Sequence, residues 1–287
     1  MSKSNFYIID VFAENPLEGN QLAVFDNGKN FTSDMMQKIA REMNFSETTF
    51  ITSHQKNTRG YPVRIFTPHQ EVPFAGHPTL GTAYIIKRFL HDSSDIINLD
   101  LKGGSIPVSF EDEILWMKQR SPEFYSQIDV QTMASILSIN KNEIDLRYPI
   151  EGVSTGFPFI IVPLKNMTAI KEISINKEKL IETVENLQAK AILTFCSETE
   201  SPTHDLKVRV FCDYYGIAED PATGSANGCL GAYCLKHNYF NKSSINIKVE
   251  QGIELKRKST LYIKASIENN IDINVGGKVQ FFGQGTI

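Results

Sequence analysis

The segment Val63-Arg64-Ile65-Phe66 recurs later in this 287-residue chain as Val208-Arg209-Val210-Phe211. Further matches follow in the same order: Glu71-x-Pro73-x-x-Gly76 with Glu219-x-Pro221-x-x-Gly224, Leu80-Gly81-Thr82-Ala83-Tyr84 with Leu230-Gly231-Ala232-Tyr233, and 114–118 with 260–264. All the offsets are close to about 145 residues, half of the chain. Several matches that keep the same order and nearly the same offset indicate an internal duplication, and this duplication determines the fold.

Each half shows the same order of short apolar segments typical of strands and helices, with more strands than helices. The segments 80–86 and 229–235 are apolar on almost every side, which predicts a helix that is buried all round. Short hairpin connections favour mixed or mainly antiparallel sheets. We therefore predict an α+β fold of two similar domains, each with a sheet rolled around a central buried helix. The predicted domains are 1–118 with a returning C-terminal strand at 272–287, and 119–271.

Composition narrows the functional class. The formal net charge is −4 and the basic residues are scattered, which argues against a nucleic-acid partner. No apolar stretch approaches the roughly 20 residues of a membrane span, so we expect no membrane partner and a cytoplasmic location. All four cysteines lie in the second half without CxxC spacing, so free thiols are expected rather than a structural zinc site.

Two glycine-containing loops precede the two buried helices: Phe74-Ala75-Gly76-His77-Pro78-Thr79 and Pro221-Ala222-Thr223-Gly224-Ser225-Ala226. The first N–H groups of a helix and its macrodipole attract anions. Two such helix ends facing each other across a cleft would hold a carboxylate and stabilise an enolate-like intermediate. The simpler interpretation is that the loops only begin the helices.

Several motifs, in this order along nearly the whole chain, resemble the PhzF-like phenazine-biosynthesis family. They are Asp10-Val11-Phe12, Asn15-Pro16, Gly19-Asn20, Ser46-Glu47-Thr48, Gly76-His77-Pro78-Thr79 and Glu219-Asp220-Pro221-Ala222-Thr223-Gly224-Ser225. One departure is Gln21, where a proline commonly follows the Gly-Asn pair. The resemblance implies the diaminopimelate-epimerase-like fold, in agreement with the duplication.

The resemblance also implies roles for individual residues. Glu47 would move a proton between two carbon atoms of the substrate. His77, Asp220 and Ser225 would bind polar groups of the substrate and assist proton transfer, and all four are predicted to be catalytic. Asn20, Gly76 and Gly224 are predicted to bind the substrate, Gly76 through its backbone N–H. No metal site and no organic cofactor are expected, because no HExxH, paired-cysteine or GxGxxG motif occurs.

The duplication gives a separate argument for Glu47. Aligning Thr49-Phe50 with Thr194-Phe195 places Glu47 opposite Ile192, so this carboxylate exists in one copy only. The alternative is an exposed glutamate at a helix end. Glu71 and Glu219 occur in both halves, and we interpret them as scaffold residues that pair with Arg64 and Arg209.

The predicted function is a cofactor-independent isomerase that moves a proton between carbons of a small, possibly cyclic, carboxylate substrate. A homodimer is the expected assembly. One alternative is a one-base racemase or epimerase of the same fold, since two-thiol epimerisation needs a cysteine from each half and the first half has none. The other alternative is a binding protein that has lost the reaction.

Overall fold

The computed structural model describes residues 4–268 and 270–287. The chain separates into two compact units, one comprising residues up to Lys118 together with Gly276–Ile287, the other Gln119–Val275. The sequence placed the return of the chain at residue 272. The structure places it at Gly276, within a strand that runs without interruption over Ile271–Gly277.

The elements of unit 1 are β1 (Asn5–Val11), β2 (Asn20–Phe25), α1 (Ser33–Met43), β3 (Glu47–Ile51), β4 (Tyr61–Phe66), β5 (Glu71–Val72), α2 (Gly76–Phe89), β6 (Ile96–Leu101), β7 (Gly104–Glu111), β8 (Ile114–Lys118) and, from the C-terminal segment, β18 (Val279–Thr286). Those that begin in unit 2 are β9 (Glu123–Gln127), α3 (Val130–Leu137), β10 (Glu151–Ser154), β11 (Pro158–Pro163), α4 (Met167–Lys171), α5 (Lys177–Val184), β12 (Ala191–Cys196), β13 (Leu206–Cys212), β14 (Ile217–Asp220), α6 (Gly224–Lys236), β15 (Ser244–Gln251), β16 (Ser259–Ile267) and β17 (Ile271–Gly277).

Strand pairing repeats from one unit to the other. In unit 1, β18–β1 and β1–β2 are antiparallel, β2–β3 is parallel, β3–β4 and β4–β5 are antiparallel, β4–β6 is parallel and β6–β7 is antiparallel. In unit 2 the same series of directions links β9–β10, β10–β11, β11–β12, β12–β13, β13–β14, β13–β15 and β15–β16. The mixed sheet predicted for each half is thus confirmed, with one architecture built twice.

Each sheet curls around one helix. Helix α2 packs against β1, β2, β3, β6, β7 and β8, and its residues from Gly76 to Ala83 are all buried. Helix α6 packs against β10, β11, β15 and β16 and is buried from Ala226 to Leu235. The prediction of a central buried helix in each half is therefore confirmed. Among the described residues, no helix has the length and apolar character needed to cross a membrane.

Outer helices cover part of the other face of each sheet. In unit 1, the Thr32 hydroxyl accepts a hydrogen bond from the Met35 N–H and caps α1, whose Met36 and Ala40 pack on Phe25 and Phe50. In unit 2, α3, α4 and α5 pack over the sheet and bury residues such as Ile192. Every strand between these layers therefore has one face towards the central helix and one towards the outer helices.

A glycine in each central helix permits close packing, and the two sites differ in how tight they are. A Cβ atom added at Gly81 would lie within 3.0 Å of three fully buried side chains: Leu22 (2.6 Å), Ile9 (2.8 Å) and Val11 (2.9 Å). A Cβ atom at Gly231 would meet only Ile263 below 3.0 Å, at 2.8 Å, and its next contact would be at 3.6 Å.

We expect Gly81→Ala to lower the free energy of unfolding by about 1–2 kcal/mol, since overpacking outweighs the gain of about 1 kcal/mol in helix propensity. Gly231→Ala is the matched control and should change stability much less. Thermal melting of both variants measures the difference. Equal melting temperatures of the two variants would show that the side chains around Gly81 accommodate a methyl group as readily as those around Gly231.

Candidate active site

Glu47 and His77 are held together by the packing of β3 on α2. Glu47 begins β3, and its Oε2 lies 3.5 Å from Nε2 of His77, the second residue of α2. Two residues further along β3, on the same face, Thr49 Oγ1 lies 2.8 Å from Thr82 Oγ1. Two successive contacts between the same strand and helix therefore fix Glu47 against His77.

The pair is largely removed from solvent. The side chain of Glu47 is 16% exposed and that of His77 only 5%. Burial lowers the pKa of His77 from the usual 6.5 to about 3, and a hydrogen bond with the backbone of Gln21 opposes this only in part. The imidazole beside Glu47 is therefore neutral at physiological pH.

Asn20 and Gly76 flank this pair. Asn20 is buried at the start of β2, opposite Val11, and it precedes the Gln21 backbone that contacts His77. Gly76 is the first residue of α2. Among the described residues, the N-cap residue Ala75 provides no side-chain hydrogen bond to the first turn of this helix. The N–H groups in the first turn of α2 are thus suited to donating hydrogen bonds to an acceptor on a ligand.

The predicted residues of unit 2 also lie around a helix N-terminus. Asp220 is buried at the end of β14, and Gly224 and half-buried Ser225 begin α6. Thr223 occupies the N-cap position, yet its hydroxyl donates a hydrogen bond to Asp220 Oδ2 instead of accepting one from the helix. Each unit thus brings its own predicted residues together at the start of its central helix.

The sequence did not indicate two residues of this region, Gln251 and Asn227. Gln251, at the end of β15, bonds to Asp220, Thr223 and Asn227, and Asn227 donates in addition to the Thr223 carbonyl. The sequence feature that could have drawn attention to Gln251 is the Gln251-Gly252 pair at the end of β15. Gly252 has a φ of +74°, and a Cβ atom there would lie 2.5 Å from the Pro221 carbonyl oxygen.

The counterpart of Glu47 in unit 2 is Ala191, so the predicted alignment with Ile192 was wrong by one residue. Arg64 pairs with Phe50 across β3–β4, whereas Arg209 pairs with Thr194 across β12–β13. Counting back three residues from each strand partner leads from Phe50 to Glu47 and from Thr194 to Ala191. A shift of one residue reverses the face of a strand, and Ile192 indeed packs under the outer helices.

The corrected alignment retains the argument for function, because the counterpart of the carboxylate is a methyl group. The shared glutamates behave as predicted for scaffold residues. Arg64 forms two hydrogen bonds with Glu71, of 2.8 and 2.9 Å, and Arg209 forms two with Glu219, of 3.0 and 2.8 Å. The ion pair common to both halves is therefore structural, and the carboxylate in one copy is the functional candidate.

The thiols are separate from these groups. All four cysteines are free and buried, as the sequence predicted for a reduced protein. Burial raises the pKa of Cys229, on α6, to about 12. Within residues 4–268 and 270–287, no group of three or more His, Cys, Asp or Glu side chains is arranged to hold a metal ion.

Comparison with known proteins covers nearly the whole chain. Residues 9–285 match the family model described as phenazine biosynthesis-like protein. The chain is 33% identical to trans-2,3-dihydro-3-hydroxyanthranilate isomerase of Pseudomonas fluorescens over 99% of each chain. It is 31% identical to an uncharacterized isomerase of Clostridium acetobutylicum over 96% of this chain and 95% of that one. A crystal structure of a PhzF-family phenazine biosynthesis protein of Bacillus anthracis superposes with a TM-score of 0.91 at 26% identity, over 100% of this chain and 99% of that one.

The neutral state of buried His77 predicts a pH dependence of stability. Between about pH 6.5 and pH 3 the unfolded chain binds a proton at this residue that the folded chain excludes. The free energy of unfolding should therefore decrease as the pH falls through this range, by at most about 1.4 kcal/mol per pH unit from one group. In His77→Gln this contribution is absent.

Urea unfolding at several pH values between 6 and 4 measures the slope, which should be shallower in His77→Gln than in the wild type. His69→Gln, on an exposed loop, controls for the loss of a histidine. Identical slopes for His77→Gln and the wild type would mean that the folded protein accepts the proton as readily as the unfolded chain.

Proposed function

This chain belongs to the phenazine biosynthesis-like protein family and is an isomerase, and we propose that it moves a proton between two carbon atoms of a small carboxylate substrate without a cofactor. The observation that carries this proposal is the buried Glu47–His77 pair, with 3.5 Å between Oε2 and Nε2. A carboxylate held beside a neutral imidazole and largely shielded from water is suited to accepting a proton and returning it.

The proposed reaction balances within the substrate. A C–H bond breaks as its proton passes to a Glu47 oxygen, and the electron pair moves into an adjacent unsaturated system so that a double bond migrates. Glu47 then returns the proton to a different carbon atom, where a new C–H bond forms. No electrons are gained or lost, and the carboxylate is regenerated, so the net change is an isomerisation.

His77 would keep Glu47 oriented and exchange a hydrogen bond with it. Its Nε2 faces Glu47, so its other ring nitrogen is assigned as the donor to the Gln21 backbone carbonyl. Nε2 then carries a lone pair and can accept a hydrogen bond from Glu47 once the carboxyl group is protonated. This contact would stabilise the intermediate state in which Glu47 holds the substrate proton.

The residues of unit 2 are proposed to bind polar groups of a substrate at the N-terminus of their own central helix. The N–H groups of Gly224 and Ser225 would bind a carboxylate at the positive end of α6. The Gly76 N–H at the start of α2 is suited to the same kind of acceptor. The Ser225 hydroxyl, the Asp220 carboxylate and the Asn20 amide would orient other polar groups. The relatives' named substrate, trans-2,3-dihydro-3-hydroxyanthranilate, has the carboxylate and ring unsaturation that this arrangement would use, and it is the substrate we propose to test.

Two observations bear on the alternative chemistries. The first half of the chain contains no cysteine, and the Cys229 thiol has a pKa of about 12. A thiol that stays protonated is a poor base, so racemisation by cysteine pairs is disfavoured on both counts. A one-base racemase would also use Glu47 but would return the proton to the same carbon atom, and the position of the incorporated isotope distinguishes the two reactions.

The test is incubation with trans-2,3-dihydro-3-hydroxyanthranilate in deuterated water, followed by NMR and mass spectrometry of the product. We expect conversion to the isomer, and any deuterium that enters through exchange at Glu47 should lie at the carbon that gains the proton. Glu47→Gln should retain the fold and the affinity but lose at least about 10²–10⁴-fold in turnover, because the amide cannot accept and return a proton.

Glu42→Gln, on the exposed face of α1, is the matched control and should convert the compound at the wild-type rate. Turnover by Glu47→Gln at the wild-type rate would assign the proton transfer to another group. Deuterium at the original carbon with inverted configuration would instead identify a one-base racemase.

A further inference from the structure

Gln251 is a fully buried amide, only 1% exposed, that forms hydrogen bonds with the end of β14, the following loop and the first turns of α6. Its Nε2 donates to the Asp220 carbonyl oxygen (2.8 Å) and to Thr223 Oγ1 (3.1 Å). Its Oε1 accepts from the Thr223 N–H (3.3 Å) and from Asn227 Nδ2 (3.0 Å). Two acceptors on one side and two donors on the other determine the orientation of the amide.

These bonds decide where the Thr223 hydroxyl points. Threonine at an N-cap normally accepts a hydrogen bond from an N–H group in the first turn of the helix. Here Gln251 Nε2 occupies an acceptor site of the hydroxyl oxygen, and the single hydroxyl proton goes to Asp220 Oδ2. Among the described residues, Thr223 accordingly makes no side-chain cap for α6, although its side chain is chemically suited to do so.

Comparison with unit 1 shows that this arrangement is not needed by the scaffold. Leu99 pairs with Tyr61 across β4–β6, and Val249 pairs with Leu206 across β13–β15. Because Tyr61 and Leu206 each precede the repeated valine by two residues, Leu101 is the counterpart of Gln251. Unit 1 thus carries an apolar side chain at the position where unit 2 buries an amide.

The N-cap residue also differs between the units, and this difference accompanies the difference between Leu101 and Gln251. Gly76 corresponds to Gly224, so Ala75 corresponds to Thr223. Unit 1 has no hydroxyl that could cap its helix and carries Leu101, whereas unit 2 has the hydroxyl and carries Gln251. The buried amide therefore occurs together with the side chain that it restrains.

We propose that Gln251 is a positioning residue that holds the Thr223 hydroxyl on Asp220 and away from the first turn of α6, so that the N–H groups of Ser225 and Ala226 stay available to the carboxylate of a ligand. This inference rests on the proposed function, which assigns an anionic substrate to this helix end. Gln251 itself does not touch the substrate, and it acts through Thr223 and Asp220.

The test uses two probes of equal shape, anthranilate and its uncharged analogue anthranilamide, with dissociation constants measured by calorimetry. The variants are Gln251→Leu and the double variant Gln251→Leu/Thr223→Ala, which reproduces the combination found in unit 1. In Gln251→Leu the released hydroxyl can cap α6, so the affinity for anthranilate should fall about three- to tenfold, the range expected for a helix N-terminus. The affinity for anthranilamide should change little.

The double variant has no hydroxyl at the N-cap, and we expect it to recover the preference for anthranilate over anthranilamide. A residue that only stabilises the fold would lower both affinities together, and removing Thr223 would restore neither. Gln37→Leu is the matched control, since Gln37 also donates to two backbone carbonyl groups, those of Thr67 and Pro68, but lies on α1.

Amide hydrogen exchange gives a measurement without a ligand. Ser225 and Ala226 should exchange more slowly in Gln251→Met, where Thr223 can cap them, than in the wild type or in Gln251→Met/Thr223→Ala. Unchanged exchange, or a wild type that binds both probes equally, would overturn the inference. Neither result affects the Glu47-dependent conversion of trans-2,3-dihydro-3-hydroxyanthranilate, whose absence would separately refute the proposed function.

Discussion

A helix that is buried on every side must still find partners for the N–H groups of its first turn, and the rest of this structure is arranged around that requirement. Both central helices begin at a glycine after a residue that provides no side-chain cap. A scaffold under selection for stability alone would place a capping side chain there, at a gain of about 1 kcal/mol per helix. Helix ends without such a cap are suited to stabilising a negative charge on a ligand without adding a full positive charge.

The duplication separates structural residues from functional ones. Positions that both units keep, such as the Arg64–Glu71 and Arg209–Glu219 ion pairs, support the sheet. Two positions at which the units differ in chemistry lie near the N-termini of the central helices: Glu47 against Ala191 and Gln251 against Leu101. Because the two scaffolds are alike and burying a polar group is costly, a buried polar side chain whose counterpart is apolar is a candidate for a role beyond the fold.

The fold could be predicted from the sequence to the extent that its elements occur twice. The repeated segments gave the two sheets and both buried helices, and single-copy elements such as α3 escaped detection because nothing in the other half corresponds to them. The position of Glu47 followed from its motif, but its counterpart did not, since a strand segment aligned by residue type can slip by one residue. Gln251 was missed because its role depends on contacts with residues 24 to 31 positions away.

The neutral state of His77 is consistent with the role proposed for Glu47, which both accepts and returns a proton. A cationic imidazole 3.5 Å from Glu47 would favour the carboxylate and lower its affinity for a proton, which would weaken it as a base. Burial prevents this by depressing the pKa of His77 to about 3. The lone pair on Nε2 can then accept a hydrogen bond from the protonated form of Glu47, and the ionised form meets no positive charge on the His77 ring. The proposed proton transfer by Glu47 would use this contact in the state in which the carboxyl group holds the substrate proton.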